Sequence, residues 1–166
     1  MIITGFQLRA SRKVLNLTLK QLHELTSVSK VTLARLENNI ENLEDIKCSA
    51  QNAESIYNYF IGKKLLYHDK NSIFLDINTI NDSEAKSLTR FQFLVARTIC
   101  NMSQLSLSKE IGIHYNTIYR LEKVENNKRL DINKKNIHTI LNFFKSRGIS
   151  FLDGKSVFFD QKILKI

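Results

Sequence analysis

The chain has 166 residues, is 43% hydrophobic with ten Phe and five Tyr, and carries 25 Lys+Arg against 16 Asp+Glu. This suits one large or two small globular domains, and no apolar run approaches the ~18 residues of a membrane span. Met1–Gly5 leads straight into a helix pattern and shows no signal peptide, so a cytoplasmic, non-membrane protein is expected. The two Cys (Cys48, Cys100) and four His lack metal-site spacing, and no Gly-rich phosphate loop or nucleophile motif appears. Neither metal, cofactor nor catalysis is expected.

Thr4 and Gln7 have capping-box spacing, which predicts a first helix from Gly5 through Leu8, Arg12, Val14 and Leu15 to a stop at Asn16. Thr89 and Gln92 repeat that signal 85 residues later, starting a helix at Arg90 that runs through Phe93, Arg97, Ile99 and Cys100 to Asn101. The offset persists, which divides the chain into two copies, 1–80 and 81–166. The charge is uneven. Residues 1–80 hold ten Lys+Arg against eight Asp+Glu, whereas residues 81–166 hold fifteen against eight, so copy two is the stronger source of phosphate affinity unless the excess serves solubility alone.

Next come Leu17–Glu37 (LTLKQLHELTSVSKVTLARLE) and Met102–Glu122 (MSQLSLSKEIGIHYNTIYRLE), which align without a gap. Each predicts two short helices around a tight turn. Thr18 or Ser103 caps the first, Leu22 or Leu107 points inward, and Ser27 or Gly112 makes the turn. Val28 or Ile113 then leads a second helix whose apolar residues fall three apart, at Leu33 and Leu36 or Ile118 and Leu121. Its other face is left free, with Lys30, Val31, Ala34 and Arg35 in copy one and Tyr115, Asn116, Tyr119 and Arg120 in copy two. These side-chain types reach base edges and phosphates.

The following loops differ. Asn38–Asp45 is acidic and Asn-rich, offering Asn38, Asn39 and Asn42, whereas Lys123–Arg129 contributes Lys123, Lys128 and Arg129, either as phosphate contacts or as a solvated loop. An extra helical turn between Ile40 and Lys47 is left open. A closing helix follows in each copy, capped at Ser49 or Asn133 and stopped in copy two by Gly148. Each copy ends in a hairpin pattern, Leu65–Leu75 or Ile149–Phe159, turned at Asp69-Lys70 or Asp153-Gly154. Isolated hairpins are marginal in water, so they need their closing helix, each other, or the same hairpin of a second molecule in a homodimer. Gln161–Ile166 is alternating enough to extend a strand, and Asp76–Asn81 is its counterpart.

The paired segments resemble the lambda-repressor-like (Cro/cI, XRE-type) helix-turn-helix family. The most specific residues are the L-T-x-x-x-L of Leu17–Leu22 and the T-x-x-R-L-E of Thr32–Glu37 and Thr117–Glu122. Copy one departs at Leu19 and Ser27, where the family favours Gln and Gly. Copy two carries Gln104 and Gly112 there, and departs instead at His114 in place of the cap-type Ser29. The resemblance implies a mainly α fold of two tandem helix-turn-helix domains, each with a C-terminal β-hairpin, and Arg12–Glu37 and Arg97–Glu122 pairs that clamp the second helix. It also implies that this helix lies in the major groove of double-stranded DNA. The DNA-binding set is then Thr18, Lys20, Ser29, Lys30, Val31, Thr32, Arg35 and Asn38 in copy one. In copy two it is Ser103, Gln104, His114, Tyr115, Asn116, Thr117, Tyr119 and Arg120, with the loop cations. His114 serves either as a phosphate donor or as a surface cap.

The expected function is a sequence-specific transcription regulator, a repressor of bacterial or phage type. The alternatives are a protein-interaction adaptor on the same scaffold and an antitoxin that represses its own operon. Asp76–Leu88, thirteen residues long, spans up to roughly 43–47 Å when extended, so the tether permits two readers ~34 Å apart.

Overall fold

The computed structural model describes residues 3–38, 45–77 and 88–160. Asn39, Asn42, most of the Ile40–Lys47 stretch, linker residues 78–87 and the tail 161–166 lie outside the described residues. The helices of copy one are α1 (Gly5–Val14), α2 (Leu19–Thr26), α3 (Lys30–Glu37) and α4 (Ala50–Gly62), followed by strands β1 (Leu65–Leu66) and β2 (Ser72–Leu75). Copy two repeats them as α5 (Arg90–Ile99), α6 (Gln104–Ile111), α7 (Tyr115–Leu121), α8 (Lys134–Ser146), β3 (Ile149–Ser150) and β4 (Ser156–Phe159). Among the described residues, no helix is long and apolar enough to cross a membrane.

The predicted capping boxes form. Thr4 Oγ1 accepts from the Gln7 amide while Gln7 Oε1 accepts from the Thr4 amide, and Thr89 and Gln92 do the same. The glutamines have a second task. Gln7 Nε2 donates to the carbonyls of Asp69 (2.7 Å) and Ser72 (2.8 Å), and Gln92 Nε2 to those of Asp153 and Ser156, so each first helix holds its own hairpin loop. Inside each loop, Asp69 Oδ1 accepts from the Asn71 amide and Asp153 Oδ1 from the Lys155 amide.

The hairpins find their partner in each other. They join into a four-stranded antiparallel sheet of order β1-β2-β4-β3. Ile73 pairs with Val157, its equivalent in the other copy, and Ser72–Phe158 and Phe74–Ser156 flank it reciprocally. Such a register is that of a two-fold axis between the copies. Around the same axis α1 packs on α5, and Phe6 meets Phe159 at 5.7 Å between ring centroids. The buried residues of both copies form one continuous core, with Phe6, Phe60, Phe91, Phe93 and Phe144 its largest members. The relation between the copies is thus fixed by helix packing and a shared sheet, and the tether's reach does not set it.

Candidate nucleic-acid interface

The helix pairs α2–α3 and α6–α7 owe their turn to a residue in the left-handed region: Ser27 at φ 59° and Gly112 at φ 66°. In copy one the turn is also held by His23 Nδ1, which donates to the Val28 carbonyl at 3.0 Å, and by Ser55 Oγ, which donates to the Thr26 carbonyl at 2.7 Å. Leu22, Val28, Leu33 and Leu36 are buried beneath the pair, as are Leu107, Ile113, Ile118 and Leu121 in copy two. The outer faces are open. Lys30, Val31 and Arg35 are exposed on α3, and Tyr115, Asn116, Tyr119 and Arg120 on α7.

Several candidate residues carry local structural bonds. Thr18 caps α2 reciprocally with Gln21, Ser29 caps α3 on the Thr32 amide, and Ser103 caps α6 on the Ser106 amide. The Thr32 hydroxyl accepts from Ser29 at 2.9 Å, and both Thr32 and Thr117 are half-buried. Lys20 lies 3.8 Å from Glu24 in an exposed pair, and Asn38 is the exposed C-cap of α3. Arg35 Nη2 donates to the Lys47 carbonyl at 3.0 Å, which anchors one branch of its guanidinium. At the start of α7, His114, an exposed residue, accepts at Nδ1 from the Asn116 amide at 3.2 Å, which leaves Nε2 as the donor. His114 therefore acts as a cap and retains a free donor.

Beneath the faces sit the two clamps. Arg12 makes a bidentate pair with Glu37, both bonds at 2.6 Å, and gives its remaining branch to the Leu17 carbonyl at 2.7 Å. Arg97 pairs with Glu122 in the same way and donates to the Met102 carbonyl at 2.6 Å. Each pair ties the first helix to the end of α3 or α7, so the exposed face has a fixed orientation. Gln104 turns inward to this clamp, its Nε2 donating to Glu122 at 2.8 Å.

The loop cations differ in their surroundings. Lys128 is exposed, Arg129 is half-buried beside the bridge between residues 129 and 89, and Lys123 lies back over the Tyr119 ring at 4.7 Å. Tyr119 in turn stacks on Tyr115 with centroids 6.3 Å apart, making a Tyr-Tyr-Lys ladder along α7. One residue, read from the sequence only as a helix start, bridges the copies. Arg90, only 3% exposed, donates to the Val14 carbonyl and Asn16 Oδ1 of copy one and to the Glu122 carbonyl and Asn126 Oδ1 of copy two. The available signal was that its counterpart is Gly5, so the repeat breaks its pattern there with a charge. Comparison with family models, curated proteins and solved structures finds no match for this chain.

Proposed function

We propose that the chain is a sequence-specific double-stranded-DNA-binding regulator, a repressor of bacterial or phage type, in which α2–α3 and α6–α7 are lambda-repressor-like helix-turn-helix units. The observation that carries this reading is the pairing of an exposed helix face with a buried clamp, once per copy: Lys30, Val31 and Arg35 above Arg12–Glu37, and Tyr115, Asn116 and Arg120 above Arg97–Glu122. An internal two-fold supports it further, because readers related by a two-fold suit the paired half-sites of a duplex. The chain would then do alone what single-domain relatives of that family do as dimers. Lys128 would lie along the backbone, and Arg35 and Arg120 would each meet a guanine, the commonest partner of arginine in the major groove.

An adaptor on the same scaffold is the second reading, favoured by Val31, which is apolar and 80% exposed near the start of α3. Binding to random duplex DNA across a salt series separates the two. A DNA regulator loses affinity with a log–log slope of about −0.9 per phosphate neutralised. An adaptor shows no such binding, and that result would remove the proposal.

A further inference from the structure

The two copies meet in a cleft of about 410 Å³ between the end of α1, the start of α5 and the end of α7. Among the described residues its walls carry five cations, Arg12, Lys13, Arg90, Arg97 and Lys123, and one carboxylate, Glu122. Arg12 and Arg97 are neutralised by their clamp partners. The other three are not. Among the described residues, Lys13 and Lys123 form no ion pair, and every acceptor bonded to Arg90 is a neutral oxygen. Burial and the neighbouring Arg12, Arg9 and Arg97 push the Lys13 ammonium below its usual range, and burial does the same to Arg90. Concentrated like charge of this kind works against folding.

The repeat supplies its own control. Positions equivalent to Lys13, Arg90 and Lys123 are Thr98, Gly5 and Asn38, and those equivalent to Tyr119 and Gln104 are Ala34 and Leu19. The Arg–Glu clamp is present twice, so the fold uses it twice. The three extra cations occur at one side of the two-fold only; Arg90 also bridges the copies, but the scaffold itself does not call for Lys13 or Lys123.

We infer that this cleft is a binding site for a small phosphorylated molecule with at least two negative charges. Arg90 forms a preset floor, held in place by four acceptors, while Lys13 and Lys123 are exposed at the rim and close over the anion. The volume lies within the ~300–1,000 Å³ range of small-molecule sites and exceeds what one phosphate fills. Leu94 and Tyr119 give the remainder of such a molecule an apolar wall. Because the site joins α1 of copy one to α7 of copy two, its occupancy would bear on how the copies are set relative to each other.

The probe is inorganic pyrophosphate, titrated calorimetrically into the full chain at constant ionic strength, with chloride as the control and thermal unfolding as a second readout. One pyrophosphate per chain and a saturable rise in Tm are expected. The variant Lys13→Thr with Lys123→Asn, which installs the residues of the other copy, should weaken binding by about tenfold or more and leave the ligand-free Tm equal or higher. Arg90→Gly should abolish binding but also cuts the bonds between copies, so the rim variant decides. No pyrophosphate binding beyond the chloride control, or unchanged affinity in the rim variant, would overturn the inference. So would a rim variant that loses duplex-DNA affinity while the parent chain ignores pyrophosphate, since the cations would then serve a DNA backbone.

Discussion

Removing the acid of one clamp should expose what the clamps contribute. Glu37→Gln leaves the Arg12 guanidinium, whose side chain is 9% exposed, without its counter-charge in a buried position, and Glu122→Gln does the same to Arg97 at 13%. Stranding one partner of a buried pair costs about 3–5 kcal/mol, and for a chain of this size each kcal/mol moves Tm by about 2–4 °C, so a fall of roughly 6–20 °C is expected. Both variants should respond to salt. Among the described residues Glu122 is the carboxylate that lines the cleft, and it also receives Gln104, so Glu122→Gln additionally removes the attraction that offsets the burial of Arg90, and added salt should restore part of its stability. Glu37→Gln, which strands Arg12 beside Lys13, Arg9 and Arg97, should recover in the same way. Replacing Arg12 and Glu37 together by Met should regain most of the loss, because neither charge is then buried alone. Urea unfolding followed by circular dichroism reads all of these. Single variants within about 1 kcal/mol of the parent would mean that the pairs behave as surface ion pairs, and the fixed orientation argued for α3 and α7 would fail.

Other expectations use one copy to test the other. Ser27 and Lys64 occupy left-handed backbone at φ 59° and 65°, where copy two has Gly112 and Gly148. Ser27→Gly and Lys64→Gly should each stabilise by about 0.5–1 kcal/mol in urea unfolding, with Gly148→Lys costing about the same. The Ser11 and Tyr67 hydroxyls share a buried hydrogen bond at 2.6 Å, whereas the equivalent positions are Ala96 and Phe151. Ser11→Ala or Tyr67→Phe alone should cost about 1–3 kcal/mol, and the double variant much less than the sum, as a double-mutant cycle would show. Burial pushes the Cys100 thiol up to about 12, so at pH 8 its thiolate fraction should fall on the order of 10³ below that of a free thiol. Reaction with a disulfide reagent should therefore wait for unfolding, and prompt labelling of native Cys100 would contradict its packing.

Helix boundaries were legible because caps are local: Thr4, Thr18, Ser49, Thr89, Ser103 and Asn133 each sit where their helix begins. The free faces of α3 and α7 were legible for the same reason, since helical spacing alone separates Leu33 and Leu36 from Val31 and Arg35. The joined sheet was not. Alternation in Leu65–Leu75 and Ile149–Phe159 announces hairpins but is blind to which edge pairs with which, and the Ile73–Val157 register accompanies a packing of α1 on α5 that is equally non-local. Nor was Arg90 legible, because a charge in a helix's first turn reads as surface until the other copy's Val14 and Asn16 close over it. The bond from Gln104 to Glu122 was not legible either, because it joins residues 18 apart that only the folded clamp brings together.

Selection of bound duplexes from a random pool tests the central claim most directly. Two readers on one chain, sharing Arg35 and Arg120 but differing at Lys30 and Val31 against Tyr115 and Asn116, should return two non-identical half-sites centred about 10–10.5 base pairs apart, with a G facing each arginine. Repeating the selection with Arg120→Ala should relax one base pair in one half-site, at a cost of about 1–3 kcal/mol, and leave the other half unchanged. A pool with no enriched sequence, a strictly palindromic site, or an Arg120→Ala protein with unaltered preference would contradict the account.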